Sequence, residues 1–180
     1  MLYITVKGGG IMKLAKFAMQ LAALVLLLSS ASVLAGGFGP GLKQVWGFSK
    51  GEAGFQPAEV CELINQDSVQ TFSASEGWIR RLGWMALDTT HCPTDDGMMG
   101  LNGEAIFTSW YGDELRATYT AQTVLPPPVI VQEITFIITG GTGRYKAASG
   151  KLLSVVFIEA QPSFFVPWPL KFSFTGYVNY

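Results

Sequence analysis

Groups that carry chemistry are scarce in this chain. Its 180 residues include one histidine, His91, and two cysteines, Cys61 and Cys92. A transition-metal centre takes roughly three or four such ligands at recognisable spacings, so no metal is expected. Charge of either sign is thin: Lys and Arg total 12, Asp and Glu 13, for a formal net charge of −1. That removes the electrostatic basis for nucleic-acid binding. No Gly-Lys-Ser/Thr triplet is present, which excludes a P-loop. After the N-terminal region no segment holds a long 3.6-residue period, which argues against a helical fold.

The N-terminus has a different character. Met12-Lys13-Leu14-Ala15-Lys16 is a short basic start, and Leu21 to Leu28 contains only Leu, Ala and Val. Val33-Leu34-Ala35 then sets short or small residues before Gly36, the order of a secretory signal peptide. The apolar stretch falls short of the ~20 residues of a membrane span. An uncleaved anchor is the competing reading. Residues 1–35 are therefore expected to be a signal peptide with an upstream extension, Met1 to Ile11, and residues 36–180 the folded domain. A secreted or periplasmic location follows. In that compartment Cys61 and Cys92 are expected to pair.

What remains is rich in Phe, Trp, Tyr, Val and Thr, which suit pleated surfaces. Leu42 to Phe48, Val69 to Ser75, Ile79 to Thr90, Leu101 to Trp110, Glu114 to Gln122, Val129 to Thr139, Lys151 to Glu159 and Leu170 to Tyr180 read as strands. Pro57 to Gln66 reads as a looped or briefly helical link. Tyr111-Gly112-Asp113 closes the clearest hairpin. The last strand alternates, with Leu170, Phe172, Phe174, Gly176 and Val178 on one face. Leu152 to Ile158 is apolar on both faces and should be covered on both. About eight short strands with regular turns predict an all-β sandwich or barrel, and closure removes aggregation-prone edges.

Gly140-Gly141-Thr142-Gly143-Arg144-Tyr145 is the most distinctive stretch. Three glycines in so short a span imply positive φ or a close approach. A dinucleotide loop needs a first strand, a long helix and an acidic residue ~20 positions on. Here the remaining chain reads as β, so neither a nucleotide nor any other cofactor is expected. A tight corner between strands, with Arg144 to Ser149 at most one helical turn, fits better.

Together with Ala147-Ala148-Ser149-Gly150, this stretch resembles the glycine signature of secreted bacterial proteins with an allene-oxide-cyclase-like barrel, relatives of the plant dirigent proteins. Thr90-His91 and Gly112-Asp113-Glu114-Leu115 are similar to two further pieces of that pattern, with Tyr111 where the family has Asn. The resemblance spans Thr90 to the C-terminus. It implies an eight-stranded antiparallel barrel, often a homotrimer, with a cavity at one end. It does not imply a reaction.

Candidate site residues follow from side-chain chemistry. His91 can act as an acid or base near neutral pH or serve as a structural hydrogen-bonding group. Glu104, Glu133 and Asp88 can act as buried acids if their strand faces point inward, and are merely solvated otherwise. Trp46, Trp78, Trp84, Trp110 and Tyr119 can line a ligand cavity or simply fill a core. Asp113 suits hairpin closure, and Arg144 an ion pair or carbonyl contact that pins Gly140, Gly141 and Gly143. Three function classes remain. The first is a non-enzymatic extracytoplasmic barrel that binds a small hydrophobic molecule or a partner. The second is an isomerase, cyclase or dirigent-type protein that shapes a reactive intermediate. The third is a small outer-membrane barrel.

Overall fold

The computed structural model describes residues 41–163 and 165–180. The expected signal segment and its cleavage site lie outside the described residues. Eight strands follow in order: β1 Leu42–Pro57, β2 Val69–Ile79, β3 Gly83–Pro93, β4 Met99–Ser109, β5 Glu114–Leu125, β6 Val129–Gly141, β7 Ser149–Glu159 and β8 Trp168–Asn179. Each pairs antiparallel with its neighbours, and β1 pairs with β8, so the sheet is a closed barrel. The all-β class and the eight-stranded antiparallel barrel expected from the sequence are both present.

Two boundaries differ from expectation. β1 runs on through Ser49-Lys50-Gly51-Glu52-Ala53-Gly54, a stretch too polar and glycine-rich to read as strand. Gly51 is needed there because a Cβ would strike the Ala74 carbonyl of β2, and Gly54 leaves room for the Phe72 ring. The bend between β2 and β3 falls at residues 80–82, not at Gly77-Trp78, which stay in the ladder opposite Met85 and Trp84.

Alternation sorts the side chains. Phe107, Phe136, Phe172 and Phe174 meet inside the barrel, with ring centroids 5.6 Å apart for Phe107 and Phe136 and 5.5 Å for the stacked Phe172 and Phe174. These rings fill the middle. Outward, Lys50, Glu76, Asp88, Glu104, Glu133 and Lys171 are exposed at mid-wall, so no uniform apolar band encircles the described strands. On β7 the outward Leu153, Val155 and Phe157 are half-buried.

The two ends differ. Turns 80–82, 110–113 and 142–148 are short and close one end, where Tyr145 is fully buried. Loops 58–68, 94–98 and 126–128, with residues 160–163 and 165–167, surround the other end, the mouth. Cys61, on a single 3-10 turn Glu59–Cys61, joins Cys92 of β3 with Cα atoms 5.4 Å apart, within ordinary bridge geometry. Asn65 locks the same loop: its Nδ2 donates to the Val69 and Pro93 carbonyls, and its Oδ1 accepts from the Val69 amide.

Candidate functional site

Below the mouth loops the barrel opens into a cavity of about 580 Å³. Its walls include Phe55, Val69, Met98, Ile130, Ile158 and Trp168, with His91 among them. His91 arrives there through irregular pairing. The β3–β4 register shifts between Thr90 and Cys92, and the β4–β5 register between Gly100 and Gly103. The shift lets His91 and Cys92, consecutive in sequence, both be buried. Glycines make the space. A Cβ at Gly100 would lie 2.5 Å from His91 Cδ2, and one at Gly103 would lie 2.7 Å from the Tyr119 ring.

His91 Nδ1 and the Tyr119 hydroxyl are 2.9 Å apart, and a second buried pair, Ser73 and Thr89, joins hydroxyls at 2.6 Å. Burial lowers the His91 pKa to about 4. The imidazole is therefore neutral at physiological pH, one ring nitrogen a donor and the other an acceptor. Burial also holds the Tyr119 hydroxyl well above its ordinary pKa, with a smaller opposing pull from a hydrogen bond to Thr89. The pair is an uncharged polar spot in an apolar recess, and His91 Nε2 has no protein partner among the described residues.

The rim has one sign of charge. Glu59, Glu62, Asp67, Asp95 and Asp96 occupy the mouth loops, which contain no Lys or Arg. A hydrogen bond from the Thr94 hydroxyl, reinforced by the Met98 amide, lowers the Asp96 pKa.

Several expected site residues lie elsewhere. Glu104, Glu133 and Asp88 face outward and are exposed, because the register of β3, β4 and β6 gives the inward positions to Leu87, Ala105 and Ile134. Glu104 instead borders a shallow outer trough of about 690 Å³ with Thr118, Thr120 and Thr135. Trp84 and Trp110 are also outside, at 48% and 82% exposure, as are Trp46 and Trp78. They do not line the interior, because Val45, Ile79 and Met85 next to them in sequence take the inward positions. Inside the barrel, the fold brings together the candidates His91 and Tyr119. Phe55, Ile130 and Trp168 were missed as cavity residues; the alternation of β8 back from Phe172 places Trp168 inward.

The glycine corner lies at the closed end, away from the cavity. Gly143 has φ +52°, and a Cβ there would collide with the Asp113 carboxylate. Gly143–Tyr145 is a single 3-10 turn. Arg144 Nη2 donates to the Leu82 carbonyl at 3.3 Å, and its Nε is 3.6 Å from Asp113 Oδ2. The guanidinium also lies over the Tyr145 ring, 4.7 Å from its centroid. Arg144 thus ties three closed-end turns together. Arg144→Ala should lower stability by only about 1 kcal/mol, since the pair is partly solvated, and should leave ligand affinity at the mouth unchanged. Chemical denaturation and ligand titration of the variant check both halves.

No family model, curated protein or solved structure matches this chain.

Proposed function

We propose that this protein is an extracytoplasmic barrel that binds a small hydrophobic molecule at its mouth. The carrying observation is the cavity itself: apolar walls, one neutral imidazole among the lining residues, and a rim of carboxylates without a cation. Apolar walls supply affinity and the single polar spot supplies orientation. Carboxylates at the entrance disfavour an anionic ligand. The ligand class is therefore neutral or cationic, with a group that hydrogen-bonds His91 Nε2. The disulfide and the leader-like N-terminus support the oxidising compartment. The barrel and the glycine corner support membership of the allene-oxide-cyclase-like group, with a homotrimer as its assembled form.

Charged side chains at mid-wall favour a water-facing barrel over an outer-membrane one. A cyclase or dirigent-type activity would be served by a roomy interior and an inward acid. Among the described residues, phenylalanines fill the middle and no Asp or Glu faces it, which favours binding.

Calorimetric titration with dodecanol, dodecyltrimethylammonium and dodecanoate, each kept below aggregation, tests this reading. Dodecanol and the ammonium should bind, and dodecanoate should bind at least about tenfold more weakly. Equal or tighter binding of dodecanoate would remove the ligand class. Failure of all three would remove the binding site.

A further inference from the structure

Four of the five tryptophans share one region of the outer wall next to the closed end. On the ladder Phe48 stands opposite Trp78, and Trp78 opposite Trp84. Met85 opposite Ser109 then brings Trp84 beside Trp110. Trp46 packs edge-on to Trp78, with ring centroids 5.4 Å apart. The result is an aromatic belt across β1 to β4, continued by the exposed Tyr111. Trp78, Trp84, Trp110 and Tyr111 share a cleft of about 350 Å³ with Arg81 and Arg144.

Charge marks the same end. Its turns carry Arg80, Arg81, Arg144 and Lys146, all exposed, against the single carboxylate Asp113. The barrel is thus basic at its closed end and acidic at its mouth. Indole and phenol rings combine an apolar body with a polar edge and settle at the headgroup level of a bilayer. Clustered Lys and Arg add attraction to anionic lipid. A second copy fits poorly. A two-fold contact through this end would set the four cations of one protomer against those of the other, and joining the basic end to an acidic mouth gives an open filament unless the rotation closes a ring.

We propose that the closed end of this barrel docks on an anionic phospholipid surface. The belt enters the headgroup layer, Arg80 and Arg81 face lipid phosphates, and the mouth points away from the membrane.

Flotation of the protein, in the form its cells accumulate it, with vesicles of equimolar phosphatidylglycerol and phosphatidylcholine tests the proposal. Protein should float with these vesicles and not with pure phosphatidylcholine, and salt of about 0.5 M should release it. Trp84→Ser with Trp110→Ser, and separately Arg80→Glu with Arg81→Glu, should each weaken binding at least about tenfold. These side chains are exposed, so far-ultraviolet circular dichroism should stay unchanged; if the tryptophan variant misfolds, the arginine variant decides. Lipids brominated near the headgroup should quench most wild-type tryptophan emission. Absence of wild-type binding overturns the proposal. So does full binding by both variants, which would assign attachment to another part of the chain. A wild-type oligomer that the tryptophan variant converts to monomer overturns it as well, because the belt would then be an interface between copies.

Discussion

Replacing Cys61 and Cys92 together by serine should cost roughly 3–4 kcal/mol of stability. The bridge closes a loop with a sequence separation of 31, and the chain-entropy model gives that magnitude for such a length. Both cysteines are buried, so the serine hydroxyls add a desolvation cost of their own. At about 3 °C per kcal/mol for a domain of this size, the melting midpoint should fall by about 10 °C. The damage should be uneven. Without the bridge, loop 58–68 keeps mainly its Asn65 contacts, so amides there should exchange faster than those of β7 and β8. Thermal unfolding and hydrogen exchange check the two parts separately. A midpoint within about 2 °C of wild type would show that the loop is held by packing alone.

Acid should destabilise the fold through His91. Its folded pKa, about 4, lies below the unfolded value of 6.5, so the unfolded chain takes up a proton that the folded barrel refuses. The associated stability is fully present above about pH 6.5 and is lost progressively as the pH falls toward 4. The full span corresponds to roughly 3 kcal/mol, at ~1.4 kcal/mol per pH unit. The decline should begin well above the usual carboxylate range. His91→Gln should remove that slope while retaining a side chain able to meet the Tyr119 hydroxyl. Stability measured by denaturant titration from pH 7 to 4, for both proteins, gives the answer. Parallel curves would assign the acid sensitivity to other groups.

Much of the architecture could be read from the residues. The period of two in Leu170 to Val178 grouped the residues that share the buried face of β8, and the glycine stretch reads as a corner because nothing after it can form a long helix. Inward and outward faces were harder wherever polarity failed to discriminate. β6 is apolar at Ile130, Val131, Ile134, Phe136, Ile137 and Ile138, so the direction of Glu133 is decided by its pairing with Gln122 and Val155. On β4 one extra residue between Gly100 and Gly103 shifts the ladder, and no local pattern announces such a shift. The tryptophans misled for a different reason. Large aromatics are expected inside, but a barrel of eight strands has an interior only just wide enough to be filled by side chains. Here phenylalanines fill its middle and most of the indoles lie outside.

Closure between the first and last strands also sets an order of events in folding. Leu42 pairs with Asn179 and Ala53 with Trp168, so β1 lacks one of its two partners until nearly the whole chain is available. Up to that moment the growing sheet has two free edges, β1 and whichever strand came last, and each can recruit another chain. A barrel truncated before Trp168 would keep both edges for good, and aggregation would be its natural fate. The same pairing leaves the start of β1 and the end of β8 side by side. A short bridge between residues 41 and 180, with new termini opened in loop 126–128, should therefore yield a permuted barrel that folds to the same structure, with a different pair of strands left to meet last.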